Sequence, residues 1–224
     1  FSKRHAYRPG VHVLITMTKK ILILSGPTHE YLDPVRFIGN ASSGLMGKAI
    51  AEEAANRGYS VDFISGPVPD SNLPDLGTSG VIHKVVGADD MLDCAAHLFP
   101  AADVTIFAAA VADYAPAEKY AEQRAKSNDD LVLHLRPTPD IAKTLGALKR
   151  QGQLTIGFAL QTSDGERNAS RKLREKNFNG IVLNSPASLG ASTGSFRFLG
   201  AGLEVFDDWG CIEKSDCARR IMGA

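Results

Sequence analysis

Residues 21–58 read ILILSGPTHEYLDPVRFIGNASSGLMGKAIAEEAANRG, and the architecture of the chain can be worked out from them. The apolar run at 20–24, closed by the turn formers Ser-Gly-Pro at 25–27, predicts a buried strand. A helix is predicted to begin near residues 42–44, because apolar side chains then recur at helical spacing. A strand that leads through a loop into a glycine-containing helix start predicts an anion-binding site at the helix N-terminus.

The remaining pattern alternates strands with helices. Further strands are predicted at 59–65, 81–86, 104–110, 131–135, 154–160 and 181–183, with two short ones inside 196–206 around Gly200 and Gly202; helices are predicted after Asp89 and at about 138–149, 165–178 and 215–222. This order predicts an α/β fold, a Rossmann-like three-layer sandwich with a mostly parallel central sheet and a small C-terminal β extension. We expect residues 1–16 to be an N-terminal extension and residues 17–224 a single domain.

Composition limits the classes of function. The 224 residues include 25 basic and 25 acidic side chains, so the formal net charge is zero and any anion site must be local. Nucleic acids and membrane surfaces are therefore not expected partners, since their binding depends on a summed basic field. The three cysteines form no disulfide or zinc pattern, and no apolar run reaches the roughly 20 residues that cross a bilayer. A cytoplasmic protein is expected.

The carboxyl ends of parallel strands are where such sheets bind ligands, which brings the loop after residue 24 close to the loop after Ala110. Asp113 in the second loop could hold a metal or a ribose hydroxyl, or cap a turn. Lys172 and Lys176 are four residues apart and share a helix face, where they could meet a polyphosphate or simply be solvated. The chain has neither the G-x-G-x-x-G dinucleotide motif nor the P-loop motif.

Residues 115–130 are polar and without a period, and a long loop of this kind is commonly a lid. The lid contains Arg124 and Lys126. The other candidates could also have purely structural roles. Ser42–Gly44 could be a plain helix cap, and Arg36 and Asn40 could be solvated loop residues. A phenylalanine such as Phe158 is most often part of a core.

Several loops together resemble one family, phosphopantothenoylcysteine synthetase, the ligase of coenzyme A biosynthesis. The matching segments are SGPTHEYLDPVRFIGNASSGLMG (25–47), ISGPV (64–68), AAAVADY (108–114), PTPDIA (137–142), GFALQT (157–162) and the helix with Lys172 and Lys176. They occur in family order between about residues 17 and 185.

The resemblance implies a ligase that joins 4'-phosphopantothenate to cysteine. A nucleoside triphosphate, CTP or ATP, converts the carboxylate to an acyl-nucleotidylate with release of pyrophosphate, and the amine of cysteine then forms the amide. Mg²⁺ is implied as a cofactor held mainly by the triphosphate, with no protein ligand assigned. Family members usually form homodimers. The length of the chain leaves no room for the decarboxylase domain found fused to many bacterial members, so a stand-alone synthetase is expected.

The resemblance also implies roles for individual residues. Catalytic roles fall on Asn40, Arg124 and Lys126; substrate binding on Arg36, Asn40, Ala109 and Ala110; and nucleotide binding on Gly26, Ser43, Gly44, Asp113, Pro139, Asp140, Ile141, Ala142, Phe158, Lys172 and Lys176. Arg124-Ala125-Lys126 stands where the family has a Lys-x-Lys-Lys strap, Gln161 replaces a common glutamate, and residues 185–202 lack the family's Phe-Gly-x-Asp-x-Asn pattern. Two alternatives remain: a non-catalytic nucleotide-binding paralogue, and an NAD- or flavin-dependent oxidoreductase.

Overall fold

The computed structural model of the chain describes residues 19–126, 130–160 and 164–223. The predicted extension at 1–16, residues 127–129 of the lid and Gln161 lie outside the described residues. Besides short 3₁₀ turns, the elements in chain order are β1 (Lys20–Ser25), β2 (His29–Tyr31), β3 (Phe37–Gly39), α1 (Leu45–Asn56), β4 (Ser60–Ser65), β5 (Gly80–Lys84), α2 (Ala88–Leu98), β6 (Val104–Phe107), β7 (Tyr114–Pro116), β8 (Leu135–Pro137), α3 (Ile141–Ala147), β9 (Leu154–Leu160), α4 (Gly165–Glu175), β10 (Gly180–Asn184), β11 (Thr193–Gly200), β12 (Asp207–Glu213) and α5 (Lys214–Ile221).

The main sheet has the strand order β12-β11-β10-β9-β6-β1-β4-β5. The strands from β10 to β5 are parallel to their neighbours, and β11 and β12 are antiparallel. The predicted, mostly parallel α/β sheet is therefore confirmed, and the C-terminal β extension is a hairpin added to its edge. The chain runs from β1 toward β5 and then crosses to β6, so the strand order reverses between β1 and β6. Ligands bind at such a switch point.

Both faces of the sheet are covered, as the predicted three layers require. Side chains of β1 alternate between the two faces, with Leu22 and Leu24 in one core and Ile21 and Ile23 in the other. The first core is completed by α2, α3 and α4, and the second by α1 and α5. Because β1 is buried on both faces, its sequence is a continuous apolar run.

The loop after β1 contains secondary structure that was not predicted. β2 and β3 form a small antiparallel hairpin, in which His29 stacks on Phe37 with ring centroids 3.7 Å apart. Strands of three residues are too short to show an alternating pattern, so periodicity could not predict them. The hairpin matters because it leads directly to Asn40.

Two strand predictions, one before the lid and one after it, were wrong in detail. The predicted strand at 131–135 is absent, and residues 135–137 instead pair with β7 outside the main sheet. Val132, within the predicted strand, is 74% exposed. The predicted strand at 104–110 ends at Phe107, since Ala108–Ala110 leave the sheet and line the cavities described below.

The C-terminal prediction was also misplaced. The two strands expected inside 196–206 are longer and lie at 193–200 and 207–213, and the segment between them carries the exposed side chains Leu203 and Val205, the latter 80% exposed. β12 is an edge strand with the polar sequence DDWGCIE, so its periodicity is weak. Among the described helices, none combines the length and apolar character needed to cross a membrane.

Candidate active site

The loops after β1 and β6 meet at the switch point, as predicted. The Ala108 N–H donates to the Leu24 carbonyl (2.9 Å), and the Ala110 N–H donates to the Gly26 carbonyl (2.8 Å). The Asn40 side chain then joins the loops, because its Nδ2 donates to the carbonyl oxygens of Ala110 (3.2 Å) and Val111 (2.9 Å). Asn40 thus fixes the relative positions of the two segments that carry the predicted substrate residues.

A cavity of about 480 Å³, called here the large cavity, opens beside Asn40. This volume lies in the usual range for small-molecule sites. The cavity brings together most of the predicted residues: Asn40, Ala109, Ala110, Asp113, Pro139, Asp140, Ile141, Ala142, Phe158, Lys172 and Lys176. The carboxyl edge of the sheet forms the floor of the large cavity. The start of α3 and the end of α4 form its charged wall.

The charges of the large cavity are paired. Lys176 Nζ lies 2.9 Å from Asp140 Oδ1, and the same carboxylate caps α3 by accepting from the Lys143 N–H (3.0 Å). Burial acts to raise the pKa of Asp140, but the hydrogen bonds from Lys176 and Lys143 outweigh it and hold the pKa below its usual range. Asp140 is therefore the N-cap of α3, which starts at Ile141 and not near residue 138 as predicted.

Lys172 is the second cation of this wall. Burial, and then the positive charge of Lys176, lower its pKa from the usual value. The positive charge of Lys176 therefore disfavours that of Lys172. A polyphosphate bound between the two ammonium groups would stabilise both charges. Lys172 and Lys176 thus share a face, as their spacing predicted, although Lys176 lies just past the end of α4.

Ser43 and Gly44 do not line the large cavity. They line a second one of about 130 Å³, called here the small cavity, together with residues 45–47 of α1, Asn184, Ser188 and Lys214. The two cavities share Ala109, Ala110 and Phe158 in their walls. Gly44 is the N-cap of α1, with φ of 74°, and no side chain caps the helix. Gly44 is therefore the capping residue within Ser42–Gly44, and neither serine side chain caps α1.

Gly26 and Arg36 line neither cavity. Gly26 has a φ of 78°, and a Cβ at this position would lie 3.2 Å from the Gly66 carbonyl oxygen, so the glycine allows the close turn after β1. Arg36 donates from Nε to Asp33 Oδ2 (2.8 Å) and from Nη2 to the Arg124 carbonyl (2.6 Å). In this conformation Arg36 holds the lid.

The lid residues are docked on the opening loop. The Tyr120 N–H donates to the Leu32 carbonyl (2.8 Å), and Arg124 Nη1 donates to the Tyr120 hydroxyl (2.9 Å). Asp33, only 2% exposed, accepts from Arg36 and from the Arg124 N–H (3.4 Å). Burial acts to raise the pKa of Asp33, but these hydrogen bonds lower it well below its usual range. Lys126 is exposed, and neither it nor Arg124 lines a cavity.

Sequence reasoning missed Asp33, Tyr120 and Lys214. Asp33 had a local signal, since an aspartate before Pro-Val-Arg is typical of a turn in which the carboxylate accepts from following N–H groups, here Val35 and Arg36. Tyr120 and Lys214 had none, because a tyrosine in a polar loop and a lysine at a helix start are ordinary surface residues.

A metal ion would find few protein ligands here. Within 19–126, 130–160 and 164–223, no three or more His, Cys, Asp or Glu side chains are grouped to hold one. The large cavity contains the carboxylates Asp113 and Asp140, and Asp140 is engaged by Lys176. One or two carboxylates suit Mg²⁺ when phosphate oxygens supply the remaining ligands. The residues therefore fit a Mg²⁺ ion that arrives with a nucleotide.

The fold and site define a doubly wound α/β domain with two neighbouring cavities, both lined by lysines, at the switch point of its sheet. The chain belongs to the family described as the DNA/pantothenate metabolism flavoprotein C-terminal domain, whose model matches residues 16–224.

Several named proteins are similar to this chain. A cysteine/cysteine sulfinic acid decarboxylase from an unknown prokaryotic organism is 43% identical over 79% of this chain and 48% of its own length. The coenzyme A biosynthesis bifunctional protein CoaBC of Bacillus subtilis is 39% identical over 79% of this chain and 43% of its own length. The chain therefore spans about half the length of these relatives. The crystal structure of a CoaBC C-terminal domain is 40% identical, with a TM-score of 0.76 and 92% of each chain covered.

Proposed function

We propose that this chain is a phosphopantothenate–cysteine ligase of coenzyme A biosynthesis. The observation that carries the proposal is the pair of lysine-lined cavities that share a wall at the switch point, beside loops joined by Asn40. A ligase of this kind must bring two negatively charged reactants together. A site with two separate cationic regions and a common centre is suited to that task.

The proposed reaction has two steps. A carboxylate oxygen of 4'-phosphopantothenate attacks the α-phosphorus of the nucleoside triphosphate, and pyrophosphate leaves. The amino group of cysteine then attacks the acyl carbon, and the nucleoside monophosphate leaves with that carboxylate oxygen while the nitrogen loses a proton. No protein nucleophile is required, so the chain contributes by orienting the reactants and stabilising negative charge.

The large cavity is assigned to the nucleotide. Lys172 and Lys176 are placed to contact its phosphates, and a phosphate that draws Lys176 away would release Asp140. Bound Mg²⁺ would neutralise phosphate charge and polarise the reacting phosphorus, and Asp113, which lines the large cavity, could supply a carboxylate ligand. Asn40 is assigned to the reacting centre, because its side chain holds Ala110, which lies in the walls of both cavities.

A homodimer and a cytoplasmic location belong to the same proposal. The two small hairpins β2–β3 and β7–β8 contact each other and expose Val35, Phe37, Tyr114 and Leu135, a set of apolar side chains that a second copy could cover. Light scattering should give the mass of a dimer, and a monomer at all concentrations would contradict this part of the proposal.

One experiment tests the activity. Purified protein is given 4'-phosphopantothenate, cysteine and Mg²⁺ with CTP or with ATP, and pyrophosphate and amide product are measured together. We expect both products with at least one nucleotide, and the comparison shows which base is used. Release of no pyrophosphate with either nucleotide would refute the proposal.

A second candidate, nucleotide binding without turnover, is favoured by one observation. Arg124, which stands in place of the family's lysine strap, has its guanidinium 5.0 Å from the Tyr120 ring centroid and lines neither cavity. Tight nucleotide binding in the absence of any product would support this alternative.

A further inference from the structure

An apolar surface connects the two cavities. Besides Ala109, Ala110 and Phe158, both cavities are lined by Leu160 and Leu189. These five residues, called here the junction, all have apolar side chains. Among the described residues, each lysine and each carboxylate of the site lines one cavity or the other, and none lines both. The junction is therefore an apolar passage between two charged regions.

The two leucines of the junction are only partly covered. Leu160 is 41% exposed and Leu189 is 40% exposed. Leu160 ends β9 and shares a face of that strand with Phe158, two residues earlier. Single exposed leucines are ordinary on a protein surface, but these two line the same pair of cavities. An apolar surface in such a place is suited to the apolar part of a ligand.

Leu189 is held in place by its neighbours. It follows a short 3₁₀ turn, Pro186–Ser188, and its N–H donates to the Pro186 carbonyl (3.0 Å). Lys214 Nζ donates to the Ser188 carbonyl (3.0 Å). Because the backbone beside Leu189 is fixed in this way, a ligand that contacts the side chain has little backbone freedom to remove.

The proposed reaction takes place beside the junction. The acid and the nucleotide must contact each other, so the acyl carbon of their common intermediate lies where the two cavities meet. The amino group of cysteine attacks that carbon. Only two carbon atoms separate the thiol from the attacking nitrogen, so the thiol must also lie close to the junction. A thiol is a weak hydrogen-bond donor and behaves as a small apolar group.

We propose that the junction is the subsite for the side chain of the amine substrate, and that Leu160 and Leu189 favour a thiol over a hydroxyl there. The inference rests on the proposed function and adds the basis for its choice of amino acid. The side chain of cysteine would cover the exposed parts of both leucines. The hydroxyl of serine would lose its hydrogen bonds to water and find no side-chain partner among the five residues.

Recognition of the thiol by a polar group predicts a different order of substrates. In that case every replacement of the thiol should be harmful, whether the new group is polar or apolar. The amino acid 2-aminobutyrate separates the two explanations, because it has a methyl group where cysteine has its thiol and serine has its hydroxyl. An apolar subsite accepts the methyl group and rejects the hydroxyl.

The first measurement uses the wild-type protein with 4'-phosphopantothenate, Mg²⁺, the nucleotide that supports pyrophosphate release, and each of the three amines in turn. Amide formation gives kcat/KM for each amine. We expect the value for 2-aminobutyrate to lie within about ten-fold of that for cysteine, and the value for serine to lie at least about ten-fold lower still. Equal values for serine and 2-aminobutyrate, or a higher value for serine, would overturn the inference.

The second measurement tests Leu189 itself. Leu189→Asn keeps the approximate size of the side chain and supplies a partner for a hydroxyl. The ratio of kcat/KM for 2-aminobutyrate to that for serine should therefore fall at least about five-fold. The matched control is Leu203→Asn, since Leu203 is also exposed, at 63%, but lines neither cavity.

This ratio also excludes a purely structural role. Both amines are measured on the same preparation, so the ratio does not depend on the fraction of folded protein. An unchanged ratio in Leu189→Asn would overturn the role given to Leu189. If that variant does not fold, as judged by circular dichroism, the order of the amines in the wild-type protein decides the question.

Failure of the proposed function gives a separate result. Absence of amide with all three amines would refute the ligase and the inference with it. Amide formed from cysteine, with serine used as well as 2-aminobutyrate, would refute the inference alone.

Discussion

The two cavities hold their cations in opposite ways. In the large cavity Lys176 is paired with Asp140, and Lys172 lies beside another cation on an accessible wall. In the small cavity Lys214 is buried and held only by backbone carbonyls. The first arrangement can exchange its partner for a triphosphate at each turnover, whereas the second presents a fixed charge. Under the proposed function, the large cavity would exchange its nucleotide through an open site, whereas the charge in the small cavity would stay in place.

The largest effect is expected where the two cavities meet. In Asn40→Ala, the hydrogen bonds to Ala110 and Val111 are lost, so the walls common to both cavities are no longer fixed. We expect amide formation to fall about 100-fold, as for the loss of one positioned donor. Asn56→Ala, on the exposed end of α1, is the control. Unchanged amide formation in Asn40→Ala would contradict the role given to this loop.

The next prediction distinguishes the ligand of the large cavity from that of the small cavity. In Lys172→Met, loss of one phosphate contact should raise the KM for the nucleotide about ten-fold and leave the KM for the acid nearly unchanged. Lys84→Met, which removes an exposed lysine paired with Asp70 at the far edge of the sheet, should change neither value. Steady-state kinetics with each substrate varied in turn measures both, and a rise confined to the acid would reverse the assignment of the cavities.

A smaller effect is expected from the start of α1. Gly44→Ala forces a left-handed residue to carry a Cβ, at a cost of about 1 kcal/mol in the free energy of unfolding. The new methyl would lie 3.2 Å from Val68 Cγ1 and shift the helix start, so the KM for the acid should rise several-fold. Gly58→Ala is a matched control, because Gly58 has a similar φ of 78° and no atoms within 4 Å of the added Cβ. Equal kinetic effects of the two variants would argue against a role for this helix start.

The smallest effect concerns stability and pH. Because the pKa of Asp140 is lowered in the folded protein, its carboxylate stabilises the fold above the ordinary value near 3.9, and this contribution is lost as the pH falls through the folded value. Asp140→Asn keeps a capping oxygen but loses the charge. With 45% of the Asp140 side chain exposed, we expect a loss below about 1 kcal/mol at pH 7.

Urea unfolding at pH 7 and near pH 3 measures this contribution. The curves of the wild-type protein and Asp140→Asn should approach each other at the acid pH. Asp70→Asn, which removes the more exposed partner of Lys84, should differ less from the wild-type protein at pH 7. A gap that widens in acid would show that the sign of the Asp140 contribution is wrong.

The central part of the fold was predictable from the sequence because local and global signals agree there. β1 is apolar since both its faces are buried, and the strand and helix order places the loops after β1 and β6 together. The large cavity followed from the same rule and from the family resemblance, down to Asn40 and Lys176.

The other parts of the fold and site depend on tertiary contacts that leave no local pattern in the sequence. The hairpin β2–β3 is too short to show a period, and β12 is a polar edge strand that pairs only because β11 lies beside it. Lys214 looks like a solvated lysine in the sequence and becomes buried only because α5 packs beside residues 188–191. Ser43 and Gly44 were grouped with the other nucleotide-binding candidates, because the sequence alone could not show that the crevice contains two cavities.

The central claim is that the crevice between β1 and β6 activates a carboxylate by transfer of a nucleotidyl group. The most direct measurement uses 4'-phosphopantothenate labelled with ¹⁸O in its carboxylate and follows the label by ³¹P NMR after one turnover with cysteine. An acyl-nucleotidylate predicts one ¹⁸O in the nucleoside monophosphate and none in pyrophosphate. Label in inorganic phosphate, or no label in any phosphorus-containing product although the amide has formed, would contradict the claim.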